Sequence, residues 1–294
     1  MDIGFIGIGQ MGRRMSTRIL AAGYNLTVND LNKEAAAPVL DKGAEWADTP
    51  GDVARACRVV ITSLPAPGDV EQVVYGENGL MTGWQAGDIY IDMSTNSPTT
   101  MQKIARDAEK MGVSVLDAPV SGGTVAAEKG TLTIMVGGEA STLEKVRQVL
   151  ETMGQKIFPV GAVGCGNAAK LVNNLIGLAC NSISAEGFVL GVRAGINPAT
   201  LLEIIRVSTG DNWTARQYPG TTFKGNFEPG FKVSLAYKDI NLALSLGEEY
   251  GVPLPVGEVV QKDLHNAMAA GLENKGVDAV ILPLEKAAGV VVRV

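Results

Sequence analysis

A short glycine-rich segment near the start of the chain constrains the fold more than any other feature. An apolar run at residues 3–6 is followed directly by Gly-Ile-Gly-Gln-Met-Gly at residues 7–12, and a helical pattern then extends to about residue 22. In such a unit the first glycine permits a tight turn, the second lets a ligand approach the backbone, and the third lets the helix pack closely on the strand. Because a helix N-terminus offers amide donors and partial positive charge, we expect dinucleotide phosphates to bind here. The residues predicted to contact the dinucleotide are Gly7, Gly9, Gln10, Met11 and Gly12.

An acidic residue after the second predicted strand bears on which dinucleotide binds. Asp30 lies 23 positions after Gly7 (30 − 7 = 23), close to the spacing at which a carboxylate bonds the ribose 2′-hydroxyl of NAD. Its charge would repel the 2′-phosphate of NADP, and Leu31 follows where an arginine would favour NADP. We therefore predict NAD rather than NADP. A solvated turn aspartate is the alternative, and the neighbouring Asn29 and Lys33 leave it open.

The first half of the chain alternates strand and helix patterns. Strand patterns recur at residues 26–28, 59–63, 89–92, 113–116 and 131–136, with helical patterns such as 98–111 and 141–153 between them. This alternation predicts βαβ units and a mostly parallel sheet. The pattern changes after residues 158–160, and the helical patterns that follow are 168–194, 198–207, 235–250, 256–270 and 277–288. We predict an α/β domain at residues 1–163, then a joining helix and an all-helical domain at residues 164–294.

Charge and composition exclude several classes of function. The net charge of −6 gives no indication of a nucleic acid or an anionic membrane surface as a partner. His265 is the only histidine, and the three cysteines are far apart without a CxxC pair, so we predict no metal site and no dithiol chemistry. The start of the chain lacks the layout of a signal peptide, and no run reaches the ~18 apolar residues of a membrane span. These features favour a cytoplasmic protein that does not bind membranes.

One polar pair interrupts the most apolar helical pattern. Lys170 and Asn174 are four residues apart and so lie on one helix face, and Gly177 continues that face and leaves room for a small molecule. Burying a lysine and an amide in an apolar stripe is costly unless they have a purpose. The alternative is a lysine that extends to solvent from a helix end, with solvated asparagines beside it. The spacing alone does not decide between the two.

Several short motifs occur in order along the chain. They are the loop ending in Met11-Gly12, Ser63-Leu64-Pro65, Asp92-Met93-Ser94-Thr95, the segment 117–123, Gly130-Thr131-Leu132, the Lys170 helix and Lys238-Asp239. On these motifs, residues 3 to about 270 resemble the β-hydroxyacid dehydrogenase family, which is 6-phosphogluconate dehydrogenase-like and includes 3-hydroxyisobutyrate dehydrogenase. The resemblance implies a Rossmann-type N-terminal domain and an all-α C-terminal domain joined by a long helix. It also implies a site in the cleft between the domains and a homodimer or homotetramer assembled through the helical domain.

The resemblance implies a role for individual residues. Lys170 would be the catalytic lysine, and Asn174 its substrate-orienting neighbour. Lys238 would close over cofactor and substrate, and Trp213 falls where the family often has an aromatic residue near the substrate. The substrate carboxylate would be bound by Ser121, Gly122 and Gly123, and the cofactor groove would be lined by Leu64, Pro65 and Thr95.

Each of these roles has a structural alternative. Ser121 is also compatible with a turn residue that bonds its own backbone, and Thr95 with a turn or helix cap. The Leu64-Pro65 pair is compatible with a simple strand end, and Trp213 with a packed aromatic. Lys238-Asp239 is compatible with an exposed ion pair that contributes little.

The expected reaction is hydride transfer between NAD(H) and a small 3-hydroxy acid or its semialdehyde, with Lys170 at the reacting oxygen. An imine reductase on the same fold is one alternative, although those enzymes generally lack a lysine at this position. A non-catalytic dinucleotide sensor is another, because fold alone does not establish activity. The substrate itself stays open. Arg216 and Lys232 are candidates for an extra cation toward a dicarboxylate.

Overall fold

The computed structural model describes residues 1–294. The chain divides into two compact units, Met1–Lys170 and Leu171–Val294, which we call the first and second units. The first combines a sheet with helices, and the second is helical. This arrangement confirms the predicted fold class of an α/β domain followed by an all-α domain.

A nine-stranded sheet organises the first unit. Its order is β3-β2-β1-β4-β5-β6-β8-β7, with β9 paired to β8. Neighbours from β3 through to β6 pair in parallel, whereas β8 runs antiparallel to β6 and β7. The strands are β1 (Asp2–Ile6), β2 (Asn25–Asn29), β3 (Glu45–Trp46), β4 (Val59–Thr62), β5 (Ile89–Asp92), β6 (Ser114–Asp117), β7 (Val120–Ser121), β8 (Leu132–Gly137) and β9 (Gly154–Gly161).

Helices cover this sheet. Strands β4 and β5 are buried along their whole length, which is why they read as short, almost continuous apolar runs. Two separate groups of buried apolar side chains, one containing Ile3 and Ile61 and the other Val60 and Met101, fill the space between sheet and helices. The helices of the first unit are α1 (Gln10–Ala21), α2 (Lys33–Leu40), α3 (Pro50–Ala56), α4 (Pro67–Tyr75), α5 (Pro98–Glu109), α6 (Gly123–Lys129) and α7 (Ala140–Met153).

The second unit is built from helices around an aromatic cluster. The ring of Phe188 lies 4.7 Å from that of Tyr218 and 5.8 Å from that of Phe223, measured between centroids. Asn197 caps α9 by accepting bonds from two amides of its first turn, with Pro198 at the first helical position. The helices are α8 (Cys165–Arg193), α9 (Pro198–Arg206), α10 (Trp213–Gln217), α11 (Val233–Glu249), α12 (Pro255–Ala269) and α13 (Ile281–Ala288).

Most predicted elements form within a few residues of their expected positions, and two differ in kind. Residues 158–160, expected at the break between domains, belong to strand β9. Its Gly154–Gly161 stretch is largely exposed, so it lacks the buried pattern that reveals a strand in sequence. The predicted helix at 277–288 is a 3₁₀ turn, Val277–Val280, followed by α13.

Helix α8 begins in the first unit and continues into the second. By length and composition it is apolar enough to cross a membrane, with a mean hydropathy of 1.5 over its most apolar window. Within that window 44% of the helix is buried inside the protein. Core helices of soluble proteins meet the same criteria, so the helix is weak evidence for a membrane span.

Candidate active site

The glycine loop has the geometry expected of a phosphate-binding turn. Gly7 has a φ of +93°, which favours glycine, and its amide bonds the Asn29 carbonyl at the end of β2. Gly9 immediately precedes α1 and is exposed, and nothing lies within 4 Å of where a Cβ would stand. At Gly12 a Cβ would overlap the Gly7 carbonyl. With no acidic residue in the first turn of α1, the loop fits the phosphates of a dinucleotide.

Asp30 is fixed against this loop. One carboxylate oxygen accepts a hydrogen bond from the Ile8 amide (2.6 Å), and the other accepts from the Asn32 amide (2.8 Å). The side chain is therefore held in place by the loop, rather than being a freely solvated turn aspartate. Leu31 is fully exposed, and the Lys33 ammonium lies 5.1 Å from the centroid of the Trp46 ring. The nearest charge at the end of β2 is thus negative, which favours a ribose hydroxyl over a phosphate.

The predicted groove residues follow the next two parallel strands. The Leu64 amide, just past β4, donates to the Ser94 hydroxyl (2.9 Å), just past β5. Pro65 is exposed, and Thr95 is partly buried. Because β1, β4 and β5 are parallel neighbours, their carboxyl ends place these residues and the glycine loop at one edge of the sheet.

Two fully buried carboxylates end the adjacent strands β5 and β6. Asp92 accepts hydrogen bonds from Thr62, Ser94 and Asn96, at 2.9 to 3.1 Å. Burial raises the pKa of the Asp92 carboxyl, and these three bonds offset part of the shift. Burial likewise raises the pKa of Asp117, and the nearby Asp92 adds to that rise. Neither was among the predicted site residues, although both lie within the recognised motifs. The signal that was missed is a charged residue directly after a short apolar run within a strand.

The predicted substrate loop follows β6. Ser121 is partly buried in β7, where it pairs with Thr133 of β8. Gly122 and Gly123 are exposed, with φ values of +128° and +67°. Because both glycines have positive φ, the chain turns sharply at the start of α6. Residues with a side chain rarely adopt this conformation. The two exposed glycines thus directly follow Ser121, with no side chains of their own.

Lys170 lies in the second turn of α8 and is partly buried. The first turn of that helix is bound to β6, because the Gly164 and Asn167 amides donate to the Asp117 carboxylate at 2.8 and 2.7 Å. The helix start and the glycine loop therefore both lie at carboxyl ends of strands in one sheet. Asn174 lies one turn beyond Lys170, in the second unit.

Asn174 is held by a buried acidic residue of α11. Its Nδ2 donates to Oδ2 of Asp239 at 2.6 Å, and Nζ of Lys238 lies 2.8 Å from the other oxygen. Asp239 is 2% exposed, and the Lys238 side chain is 20% exposed. The alternative of an exposed Lys238-Asp239 surface pair is therefore wrong. Asp239 was named in a motif but was not predicted as a site residue, since sequence does not reveal its partner 65 positions away.

The remaining candidates lie on the surface of the second unit. Trp213 begins α10 and is 74% exposed, so it is not a packed core aromatic. Arg216 is ion-paired with Asp211, and Lys232 bonds the Asn274 side chain at 3.0 Å. His265 is exposed, as a surface histidine would be.

Two family models together match nearly the whole length of this chain. The family model described as the NAD binding domain of 6-phosphogluconate dehydrogenase matches residues 2–161. The model described as the NAD-binding domain of NADP-dependent 3-hydroxyisobutyrate dehydrogenase matches residues 164–284. The chain is similar to 2-(hydroxymethyl)glutarate dehydrogenase of Eubacterium barkeri, with 41% identity over 99% of this chain and 97% of that protein.

Two further proteins extend the comparison. The NAD-dependent L-serine dehydrogenase of Pseudomonas aeruginosa is 39% identical over 88% of this chain and 89% of its own length. Among solved structures, 3-hydroxyisobutyrate dehydrogenase of Mycobacterium tuberculosis with L-serine superposes with a TM-score of 0.89. That comparison has 32% identity and covers 96% of this chain and 98% of the other.

Proposed function

The chain belongs to the β-hydroxyacid dehydrogenase family and is an NAD-dependent oxidoreductase of small hydroxy acids; from this premise we propose the residues that carry the reaction. The observation that carries the proposal is the sheet edge of the first unit. There the glycine loop follows β1, and the helix of Lys170 is bound by hydrogen bonds to the end of β6. A phosphate-binding turn and a partly buried lysine thus share one edge.

The cofactor would be held by the glycine loop and by Asp30. The loop amides would bind its phosphates, the Asp30 carboxylate its adenosine ribose, and Leu64, Pro65 and Thr95 would line the groove beyond. Bound NAD(H) accepts or supplies the hydride. Because Asp30 is already fixed by the Ile8 amide, its charge disfavours a 2′-phosphate, and we expect NADH to be preferred to NADPH.

Lys170 would hold and move a proton at the reacting oxygen. When an alcohol is oxidised its hydroxyl proton must leave, and a neutral lysine amine accepts it; in the reverse direction the ammonium returns it. Partial burial in the second turn of α8 holds this amine beside the sheet edge rather than in open solvent. Asn174, held by Asp239, would orient the same oxygen by hydrogen bonding.

The acid group of the substrate would be bound by Ser121 and the turn that follows β7. The Ser121 hydroxyl and the amides of Gly122 and Gly123 offer donors without a side chain in the way. Lys238 would add a positive charge, which its ion pair with Asp239 would partly offset. Trp213 is exposed and would contact the part of the substrate that differs between hydroxy acids.

We further propose a soluble, cytoplasmic homodimer or homotetramer that binds neither nucleic acid nor membrane. One face of α8 exposes more than half of each of Val172, Ile176, Ile183 and Leu190. An apolar stripe of this length is typical of an interface between chains. Light scattering of the purified protein tests this. We expect the parent protein to be a dimer or tetramer and the Ile183→Glu variant to be a monomer. A monomeric parent would contradict the proposed assembly.

NADH and NADPH absorbance with a panel of substrates tests the reaction. The panel contains tartronate, methylmalonate and succinate semialdehydes, 2-formylglutarate, glyoxylate and one cyclic imine. We expect one semialdehyde to oxidise NADH rapidly and NADPH more slowly. Turnover of the imine alone would support an imine reductase. Tight NADH binding without turnover of any compound would favour a sensor, and a preference for NADPH would overturn the role of Asp30.

A further inference from the structure

A continuous chain of hydrogen bonds begins at the loop after β4. The Leu64 amide donates to Oγ of Ser94 (2.9 Å), and the Ser94 amide donates to Oδ1 of Asp92 (3.1 Å). The second oxygen of Asp92 accepts from Nδ2 of Asn96 (3.0 Å). These bonds connect the proposed cofactor groove to the fully buried carboxylate at the end of β5.

The same chain continues into α8. The Asn96 amide donates to Oδ1 of Asn167 (2.7 Å), and the Asn167 amide donates to Oδ2 of Asp117 (2.7 Å). Asn96, Asn167, Asp92 and Asp117 are all 0% exposed. Since solvent does not reach these groups, a bond that is lost here leaves a buried donor or acceptor without a partner.

Asp117 acts as the N-terminal cap of α8. The Gly164 carbonyl accepts the first helical bond, from the Ala168 amide at 2.9 Å, so Gly164 occupies the capping position. Glycine has no side chain with which to cap. The Asp117 carboxylate takes its place, because it accepts from the Asn167 amide, the donor that a capping side chain normally satisfies. Its charge also interacts favourably with the helix dipole.

The helix start is fitted closely against this carboxylate. A Cβ at Gly166 would lie 2.7 Å from the Met135 carbonyl oxygen and 2.9 Å from Oδ2 of Asp117. Neither neighbour is the flexible end of an exposed side chain. Glycine at this position therefore permits a close approach, and the first turn has little room to shift. Lys170 comes three residues after Asn167, so it is a neighbour of Asn167 on the helix surface.

We propose that Asp117 and Asn167 are positioning residues for Lys170, and that the hydrogen-bond chain from Leu64 to Asp117 fixes this lysine relative to the cofactor groove. The proposal rests on the proposed role of Lys170 at the reacting oxygen. The carboxylate sets the depth and rotation of the first turn of α8. Asn96 and Asn167 transmit the position of the cofactor-lining loops to the same turn.

The test uses Asn167→Ala, Asp117→Asn and a matched control in the full-length protein. Asn167→Ala removes the acceptor of the Asn96 amide but keeps the Asn167 amide, so α8 stays capped. Asp117→Asn leaves one oxygen for the two backbone amides, of Gly164 and Asn167, that bond separate oxygens in the parent. The control is Asp88→Asn. Asp88 is also buried, accepts a hydrogen bond from the Gln85 amide (2.7 Å) and is ion-paired with Arg58 (2.9 Å), but it precedes β5 at the opposite end of the strand.

The first readout is steady-state kinetics with NADH. Because a displacement of about 1 Å at a reacting group can cost on the order of 100-fold, we expect kcat to fall roughly 10- to 100-fold in Asn167→Ala and Asp117→Asn. The dissociation constant of NADH should change by less than about threefold, since the phosphate loop is untouched. Asp88→Asn should keep its kcat. An equal loss in Asp88→Asn, or an unchanged kcat in folded Asn167→Ala, overturns the proposal.

A double-variant cycle shows whether Asn167 acts through Lys170. In the Lys170→Ala background, adding Asn167→Ala should change the residual rate by less than about twofold, because the residue it positions is already absent. Independent, multiplying effects would contradict positioning. An active Lys170→Ala single variant would instead show that the proposed function of Lys170 had failed.

Hydrogen exchange supplies a readout that does not need turnover. NADH should slow amide exchange in a peptide covering residues 162–171 of the parent protein. In Asn167→Ala that protection should be lost although NADH still binds. Undiminished protection would show that the hydrogen-bond chain does not connect groove and helix, whatever the kinetics.

Discussion

Asp92 and Asp117 in the first unit each accept three hydrogen bonds, whereas Tyr218 and Thr222 in the second unit are buried with hydroxyl groups that bond nothing. The donors to the two carboxylates come largely from backbone and amide groups of loops at the sheet edge. A helical bundle has few free amides in its interior, because its helices satisfy them internally.

The two regions therefore differ in what their buried polar groups do for the structure. A buried network with every partner present holds its members in one arrangement, and it is costly to disturb. Around Tyr218 and Thr222 in the second unit, aromatic and aliphatic contacts fill space, and the two hydroxyl groups contribute little to a specific geometry. We therefore expect changes at the sheet edge of the first unit to affect chemistry and stability together, and comparable changes in the helical core to affect neither strongly.

The largest expected effect compares the two lysines. Lys170→Ala should fold, still bind NADH, and lose at least ~100-fold in kcat, the low end for loss of general acid–base catalysis. Lys238→Ala should mainly raise KM, by about tenfold, because Asp239 already offsets its charge and one charge-assisted bond contributes roughly 1.5 kcal/mol. Purified variants are compared by NADH oxidation and by NADH titration. If the Lys170→Ala variant folds and turns over normally, Lys170 does not transfer the proton in this reaction.

The next effect compares two glycines of α8. Gly166→Ala should lower the free energy of unfolding by about 2–3 kcal/mol, since its Cβ would meet the Met135 carbonyl and the Asp117 carboxylate. A Cβ at Gly177 would meet nothing within 4 Å, so Gly177→Ala should raise the free energy of unfolding by about 0.5–1 kcal/mol. Urea unfolding measures both. Equal effects at the two positions would mean that the helix start is not closely fitted.

The same contrast between local contacts and tertiary contacts explains which features of the structure could be predicted from the sequence. The glycine loop and the strands β4 and β5 were predictable because a turn and a fully buried strand each leave a local pattern. The cap on α8 was not, because Asp117 and Gly164 are 47 residues apart and meet only when β6 ends beside the helix. Asp239 was hidden for the same reason. Local pattern identified the elements, whereas the partners of buried polar groups depend on tertiary structure.

A third prediction compares hydroxyl groups. Thr62 in the first unit bonds both the Tyr90 hydroxyl (2.8 Å) and the Asp92 carboxylate (2.9 Å). Thr62→Val should therefore cost about 1–2 kcal/mol, because it leaves two buried groups each short of a partner. Tyr218→Phe removes a buried hydroxyl that bonds nothing, so the free energy of unfolding should stay within about 0.5 kcal/mol of the parent or rise. A larger loss in Tyr218→Phe than in Thr62→Val would reverse the comparison.

The smallest effect concerns Asp278, an acidic group of the second unit that lacks the three-donor environment of Asp92. Burial raises the pKa of this carboxyl above 3.8, and a hydrogen bond from Thr221 offsets only part of the rise. The folded protein therefore holds the proton more tightly than the unfolded chain. Below about pH 3.8 both states are protonated; as the pH rises through the folded pKa, the parent loses stability.

Asp278→Asn keeps a neutral partner for Thr221 and does not ionise. Its free energy of unfolding, relative to the parent at the same pH, should therefore improve between pH 4 and pH 7. Asp92 and Asp117 also have raised pKa values, but they are present in both proteins and cancel in the difference. Denaturant unfolding of the pair at the two pH values measures the change. A variant whose free energy of unfolding instead falls relative to the parent toward pH 7 would show that folding stabilises ionised Asp278, which contradicts a raised pKa at this carboxyl.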